Sequence, residues 1–268
     1  MVTNIFYLNK LLGEIDSTSR RLKYLSGILM LSWALFFFLR LGFFFIFFES
    51  VSVLDILHSL WVGIRFDMRL AVLISIPILF FCVLPIVRYW KFSHTIFVVK
   101  WVYGILISLT VFFYIFDFAN YGYTQQRIDV TVFNLLENFT ISLGMIWATY
   151  PVVWLILFVI SICYLWIKIH NYIVKHTLMT PQRRAKNYQK IIQITCALIF
   201  YLFGFWGTLS QYMLLWSDAF FSRDSFVSAL ALNPVLYFYD TTTFEEKDYE
   251  TDKVRDSYSL VSNILGID

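Results

Sequence analysis

Five apolar runs bounded by charged residues constrain this chain more than any other feature. They cover residues 24–48, 70–87, 96–118, 141–167 and 191–215. A bilayer core of about 30 Å is crossed by roughly 20 residues of helix at 1.5 Å each, which is close to the size of these runs. The runs therefore predict an all-α integral membrane protein with five transmembrane helices.

Composition agrees with a membrane protein, because 59% of the residues are apolar and only 15% are charged. The net charge of +3 is small and the basic residues fall in short segments between the runs, which excludes nucleic-acid binding. Cys82, Cys163 and Cys196 each lie inside an apolar run without a CxxC motif or a nearby histidine. This pattern predicts neither a disulfide framework nor a zinc site.

The distribution of Lys and Arg predicts the orientation in the membrane, because short cytoplasmic loops are rich in both. Basic residues fill the segment before the first run, the turn between the second and third, and the loop between the fourth and fifth. The tail after residue 215 is instead dominated by acidic residues. With an odd number of spans, the N-terminus is predicted to be cytoplasmic and the C-terminus extracytoplasmic.

The same features predict four regions along the chain. These are a cytoplasmic segment at 1–23, a transmembrane domain at 24–215, outer interfacial helices at 216–243 and an acidic extracytoplasmic linker at 244–268. In the third region, Ser222 and Ser225 are predicted N-caps of an amphipathic helix through Leu232, which Asn233 and Pro234 are predicted to end. The outer connection 129–139 is predicted to form a similar surface helix.

Ionisable residues near hydrocarbon are costly, so their depth is the strongest functional signal in this sequence. Counted from Lys23, Arg40 lies roughly 25 Å along its helix, close to the outer headgroups. Asp117 reaches a similar level, and the other charges of this layer flank the second and third runs. The midpoints of the runs are free of charge, which argues against an ion channel, a proton-coupled pump or a small transporter.

This charged layer predicts a lipid-headgroup site, because the planar fork of arginine binds phosphate through two parallel hydrogen bonds. The predicted headgroup-binding residues are Arg40, Arg65, Arg69 and Arg127, with Asp67 and Asp117 orienting them. Arg65 and Arg69 share a helix face at i, i+4, whereas Asp67 between them faces away from both. Two like charges on one face favour an anion, or a carboxylate from another segment, between them.

A structural alternative stays open for the same residues. The arginines would reach lipid phosphates anywhere on the outer surface, and Asp67 or Asp117 would pair with them only to hold helices together. The histidines are isolated, and no nucleophile motif, phosphate loop or metal-ligand spacing occurs. These residues therefore predict no catalytic, metal or cofactor site.

Six stretches, in order and mostly on the predicted outer side, point to a known family. They are GIRFDMR at 63–69, DFANYGY at 117–123, residues 127–136, MIWATYP at 145–151, WSDAFF at 216–221 and LNPVLYFYD at 232–240. Together they resemble the N-terminal membrane region of the lipoteichoic acid synthase-like phosphoglycerol transferases, over most of the chain.

The resemblance implies a multi-pass anchor in a bacterial cytoplasmic membrane. In that family an extracytoplasmic domain of the alkaline phosphatase/sulfatase fold follows, and it transfers phosphoglycerol from an anionic lipid with a Thr or Ser nucleophile and a divalent metal. Residue 268 falls about where such a domain would begin, so a membrane-domain fragment or a truncated gene product is expected, without that nucleophile or metal.

The expected function is therefore to anchor such a transferase and to position anionic phospholipid headgroups for it. Membrane lipids, the extracytoplasmic catalytic domain and other envelope proteins are the expected partners. The alternative, from a different class, is a non-enzymatic membrane scaffold or assembly subunit whose outer aromatic surface binds a partner.

Overall fold

A computed structural model of the chain describes residues 20–83, 92–136, 151–178 and 187–243, together with residues 140, 144, 147, 148, 255, 258 and 262. The α-helices discussed below are α1 (Arg20–Ile46), α2 (Val53–Val83), α3 (Phe92–Thr124), α4 (Val152–Thr177), α5 (Asn187–Trp206), α6 (Ser225–Ala231) and α7 (Pro234–Thr241). Two 3₁₀ helices lie at Val130–Leu136 and Trp216–Ala219. All regular secondary structure of the described residues is helical, which confirms the predicted all-α class.

In the part of the chain that the structure describes, three helices are long and apolar enough to cross a membrane. They cover Arg21–Ile46, Ile96–Thr124 and Val152–Thr177. The apolar part of α5, Ile191–Trp206, is shorter, and α2 is long but carries Arg65, Asp67 and Arg69 near its middle. Five transmembrane helices therefore stay a prediction, of which the structure supports three by length and composition.

Two helices differ in extent from the apolar runs that predicted them. The second run was predicted to begin at residue 70 with its charges ahead of the membrane, but α2 begins at Val53 and contains them. Burial of Asp67 against a partner on α1 allows the helix to run through this position. The fourth run was predicted over 141–167; most of residues 141–150 lie outside the described part of the chain, and α4 follows Pro151 and ends at Thr177, beyond the predicted end. Proline fixes a backbone angle that suits the start of a helix, and Lys175 and His176 suit its C-terminal dipole.

The core lies where α1, α2 and α3 meet. The α1 helix packs most extensively against α2, while α5 and α6 cover other faces of α2, and α4 packs on α3 and α1. Phe36 of α1 stacks on Tyr114 of α3 with ring centroids 6.1 Å apart, and both side chains are fully buried. The centre of the bundle, at the level of the candidate site, is therefore filled by buried aromatic side chains.

Polar side chains join four pairs of these helices. The bonds are Ser32 Oγ to Tyr103 Oη at 2.6 Å, Ser75 Oγ to Tyr201 Oη at 2.9 Å, Tyr24 Oη to His170 Nε2 at 2.8 Å and Ser108 Oγ to Cys163 Sγ at 2.9 Å. Such interhelical bonds stabilise helix association by about 0.6 to 2 kcal/mol each. They fix the rotation of each helix against its neighbour.

The helix α6 corrects the prediction of amphipathic helices lying on the outer surface. All six residues from Phe226 to Ala231 are buried, and Ser59 Oγ of α2 donates to the Val227 carbonyl at 2.8 Å. Phe226 lies in a cluster with Phe43 and Tyr121. The segment SFVSALA has too few polar residues to form a solvated face, so the chain inserts it between α1, α2 and α3.

The helix caps also differ from those predicted. Asp224, not Ser222 or Ser225, caps α6, and its Oδ1 accepts from the Phe226 amide at 2.8 Å. The preceding helix α6 ends at Ala231, just ahead of Asn233 and Pro234 as predicted, and Asn233 also caps α7, with Pro234 in its first turn. Asp224 and Asn233 are suited to these caps, because a carboxylate or side-chain amide oxygen accepts hydrogen bonds from the free backbone amides of a helix start. Pro234 is suited to the first turn, because it has no backbone amide hydrogen that would need an acceptor.

Candidate functional site

The C-terminal end of α6 is the point at which the predicted charges converge. The last carbonyls of a helix have no partner within it and carry partial negative charge. Arg40 Nη1 donates to the carbonyls of Leu230 and Leu232, the latter at 3.2 Å, and Arg127 Nε donates to the Ala229 carbonyl at 2.8 Å. Two cations from α1 and from the chain after α3 therefore cap a buried helix end.

Arg40 and Asp67 form a bidentate ion pair between α1 and α2. Arg40 Nε lies 2.8 Å from Asp67 Oδ2, and Nη2 lies 2.6 Å from Oδ1. The two residues are 2% and 0% exposed. Gly63 makes room for this fork, because a Cβ there would lie 2.6 Å from Arg40 Nε. A close-packed buried pair of this kind is costly to break from one side only.

Arg127 and Asp117 form a second buried pair. Arg127 Nη1 donates to Asp117 Oδ2, and the Ile128 amide donates to Oδ1 at 3.0 Å. The Arg127 guanidinium also lies over the Phe43 ring, with Cζ 3.7 Å from the centroid. Each arginine thus has one carboxylate, so the four charges balance within the core.

Asn233 connects the first pair to α7. Its Nδ2 donates to Asp67 Oδ1 at 2.9 Å and to Tyr114 Oη at 2.7 Å, while its Oδ1 accepts from the Val235 and Leu236 amides at 3.2 and 3.4 Å. Sequence reasoning missed Asn233, Tyr114 and Gly63. An Asn-Pro pair is also typical of a helix start, and that signal could have identified Asn233 as a cap.

The remaining two predicted arginines have a different setting. Arg65 and Arg69 lie four residues apart on α2 and are partly exposed. Arg69 donates from Nη1 to the Leu214 carbonyl at 2.6 Å and contacts Met213 Sδ at 3.4 Å, and the Arg65 Cζ lies 5.9 Å from the Trp61 ring centroid. In both arginines Nε is buried with no hydrogen-bond partner. Buried donors are almost always paired, so both have hydrogen-bonding capacity left for another molecule.

A carboxyl group on α7 lies in the field of Arg69. Burial raises the pKa of Asp240 above its ordinary value, and the positive charge of Arg69 opposes this shift. Burial and the negative charge of Asp129 likewise raise the pKa of Tyr237. The region beside Arg69 is therefore partly desolvated, which strengthens the interaction of a guanidinium with an anion.

The structure thus divides the six predicted site residues into two groups. It pairs Arg40 with Asp67 and Arg127 with Asp117. The hydrogen bonds of these two guanidinium groups described above all go to acceptors within the protein. It leaves Arg65 and Arg69 partly exposed, each with an Nε that has no hydrogen-bond partner. Contact of any of these arginines with a headgroup stays a prediction. Within the described part of the chain, no group of three His, Cys, Asp or Glu side chains is placed to hold a metal ion.

Over the described residues, the fold defines an α-helical protein with three helices suited to cross a membrane. Comparison of the chain with models of protein families, with curated proteins and with solved structures finds no match.

Proposed function

We propose that this chain is the membrane anchor and lipid-headgroup-positioning domain of a lipoteichoic acid synthase-like phosphoglycerol transferase. In this proposal Arg65 and Arg69 bind the phosphate of an anionic phospholipid in the extracytoplasmic leaflet. The buried pairs of Arg40 and Arg127 hold the tail in place. The catalytic chemistry, with its nucleophile and divalent metal, belongs to an extracytoplasmic domain outside these residues.

One observation carries the headgroup proposal: Arg65 and Arg69 share a face of α2, and each has a buried Nε without a partner. An unpaired buried donor on a charged group costs more than about 1–3 kcal/mol, and a phosphate oxygen would remove that cost. Phosphate also relieves the repulsion between two like charges at i, i+4. Arginine suits this ligand because it donates two parallel bonds.

The buried pairs support the positioning part of the proposal. Arg40 and Arg127 attach α6 to α1 and to the chain after α3 through three main-chain carbonyls, and Asn233 attaches α7 to α2 through Asp67. The chain at 224–241 is therefore held at both of its short helices. A domain following residue 243 would leave the membrane region at a fixed point beside Arg69.

Binding of phosphatidylglycerol to the purified protein in nanodiscs tests this proposal. Arg65→Ala with Arg69→Ala is expected to weaken binding by more than tenfold, because a hydrogen bond to a charged group contributes about 1.5–3 kcal/mol. Arg223→Ala is the control, since Arg223 is an exposed arginine outside α2 and its loss removes one positive charge, against two in the double variant. Equal binding by the double variant and the control would remove the headgroup site.

The scaffold alternative is favoured by a separate observation. The loop after α5 exposes large apolar side chains, with Leu209 91% and Tyr212 73% exposed. If the double variant keeps its lipid binding, and a Leu209→Ser, Tyr212→Ser variant loses an envelope partner in a cross-linking experiment, the scaffold function replaces the headgroup function. Both variants must retain the thermal stability of the parent protein for this comparison.

A further inference from the structure

An apolar groove runs between α3 and α4, away from the charged cluster. It encloses a cavity of about 360 Å³ whose lining includes Ile105, Leu109, Phe112, Val159 and Ile167. Lys100 lies at one end of it. From Lys100 to Phe112 the groove follows about 18 Å of helix, which is close to the depth of one leaflet of a 30 Å bilayer core.

The groove exists because α4 is packed over only part of its length. The buried residues of α4 are Trp166, His170 and Val174, all in its second half. In its first half large side chains point outward, such as Trp154, which is 73% exposed. Among the described residues, the first half of α4 therefore leaves one side of α3 uncovered.

The polar atoms on the floor of the groove are satisfied within the protein. Ser108 Oγ donates to the Gly104 carbonyl at 2.7 Å and bonds to Cys163 Sγ at 2.9 Å. Trp166 Nε1 donates to the Lys100 carbonyl at 3.4 Å. The occupant needs no hydrogen-bonding group along this length, so a hydrocarbon chain is suited to it.

The two helices are antiparallel, because Lys100 meets Trp166 and Ser108 meets Cys163. Lys168 therefore lies at the same end of the helix pair as Lys100. Lys100 Nζ is 6.0 Å from the Trp101 ring centroid, and Lys168 Nζ is 5.3 Å from that of Tyr164. Within the described residues neither lysine is joined to a carboxylate. Two cations beside the mouth of an apolar groove complement an anionic headgroup above an acyl chain.

We propose that the groove binds one anionic glycerophospholipid, with an acyl chain along α3 and α4 and its phosphate at Lys100 and Lys168. This site lies at the opposite end of α3 from Asp117. It is independent of Arg65 and Arg69, so either proposal can fail without the other.

Photo-cross-linking in nanodiscs tests the site. Phosphatidylglycerol with a diazirine on its acyl chain is expected to label residues of the groove, as mapped by mass spectrometry. Leu109→Trp fills the groove and is expected to abolish this labelling. Leu165→Trp is the matched control, because Leu165 is 54% exposed on another face of α4. Arg65→Ala with Arg69→Ala is expected to leave the labelling unchanged.

The same photo-cross-linking experiment tests the proposed contact of the lipid phosphate with the two lysines. Lys100→Gln and Lys168→Gln are each expected to reduce labelling by phosphatidylglycerol about fivefold, since one lysine near a membrane surface contributes about 1 kcal/mol. Labelling by diazirine phosphatidylcholine should be weaker and insensitive to both changes. Equal labelling by the two lipids, labelling spread evenly over α3 and α4, or cross-linking of a second copy through the groove would each overturn the proposal.

Discussion

Asn233 Nδ2 lies 2.9 Å from Asp67 Oδ1, the same oxygen that accepts from Arg40 Nη2 at 2.6 Å. The side chain that caps α7 is therefore part of the buried ion-pair network between α1 and α2. A helix of eight residues, which is too short to be stable alone, is held through this contact. The cap and the ion pair are expected to weaken together.

Asn233→Ala is expected to lower the free energy of unfolding by about 2–4 kcal/mol. It removes an N-cap, at about 1 kcal/mol, and a hydrogen bond to a buried carboxylate, at about 1.5–3 kcal/mol. Asp224→Ala, which removes the cap of α6, is the comparison and is expected to cost about 1 kcal/mol. Unfolding in one detergent, followed by tryptophan fluorescence, measures both. Equal losses would show that the bond to Asp67 contributes nothing.

Asp67→Asn is expected to destabilise the protein by about 3–5 kcal/mol, because Arg40 would then be buried without its counter-charge. The double change Arg40→Met, Asp67→Leu is expected to cost less than the sum of its single changes, since neither partner is left unpaired. Glu49→Gln, at an exposed carboxylate, is the control and should be nearly neutral. Additive costs would contradict the coupling inferred from the bidentate geometry.

Gly63→Ala is expected to be destabilising by about 1–3 kcal/mol, the usual cost of overpacking, because its methyl group would displace the Arg40 fork. Gly42→Ala on α1 is the matched control, since its nearest contact would be Phe118 at an ordinary 3.9 Å. That change should be neutral or stabilising by up to about 1 kcal/mol, as alanine favours helix. Thermal unfolding of the two variants side by side distinguishes them.

The apolar runs were sufficient to predict helices but not their ends. The third run lies within α3, and all but the last two residues of the first run lie within α1, because hydrophobic length alone sets them. The start of α2 was missed because Arg65 to Arg69 was interpreted as a membrane boundary. The partner of Asp67 is 27 residues away and the carbonyls bonded by Arg40 are 190 and 192 residues away, so neither depends on local sequence.

Counting helical rise could predict that these charges lie near one another along the bundle, but it could not predict their partners, and their depth in a membrane stays a prediction. Arg40, Asp67, Asp117 and Arg127 all meet around α6 in the structure. Which arginine faces which carboxylate depends on the rotation of each helix, and that rotation is set by packing and by the interhelical polar pairs. Residues 225–231 were predicted to lie at the surface, although SFVSALA has too few polar residues to form a solvated face, and the structure buries them.

Asp240→Asn is expected to stabilise the protein at neutral pH. Since burial raises the pKa of the folded Asp240, its stability contribution is fully present below the unfolded value of about 3.9 and is lost as pH rises through the folded value. Asparagine resembles the protonated form, so the advantage of the variant should vanish at acid pH. Unfolding measured as a pH series tests this. An advantage that persists below the unfolded pKa would contradict it, and Arg69→Ala should enlarge the advantage at neutral pH.

The number of helices that cross the membrane determines which side each connection faces. With five spans and a cytoplasmic N-terminus, single cysteines replacing Ser50, Tyr123 and Tyr212 should react with an impermeant maleimide in intact cells, and those replacing Arg88 and Arg183 should not. Tyr123 is 86% exposed and Tyr212 is 73% exposed, so both cysteines would be accessible to the reagent. The native cysteines are first replaced by alanine.

If only the three most apolar helices crossed the membrane, α1 would carry the chain outward and α2 would not carry it back. The chain after α2 would then lie outside the cell. A cysteine at Arg88 would then react and one at Tyr123 would be protected, the reverse of the five-span pattern. Protection that is lost when the cells are permeabilised supplies the control for accessibility. Because α1 would still carry the chain outward, Arg65 and Arg69 of α2 would stay on the extracytoplasmic side in either pattern, so labelling at Arg88 would change the number of spans without removing the proposed headgroup site.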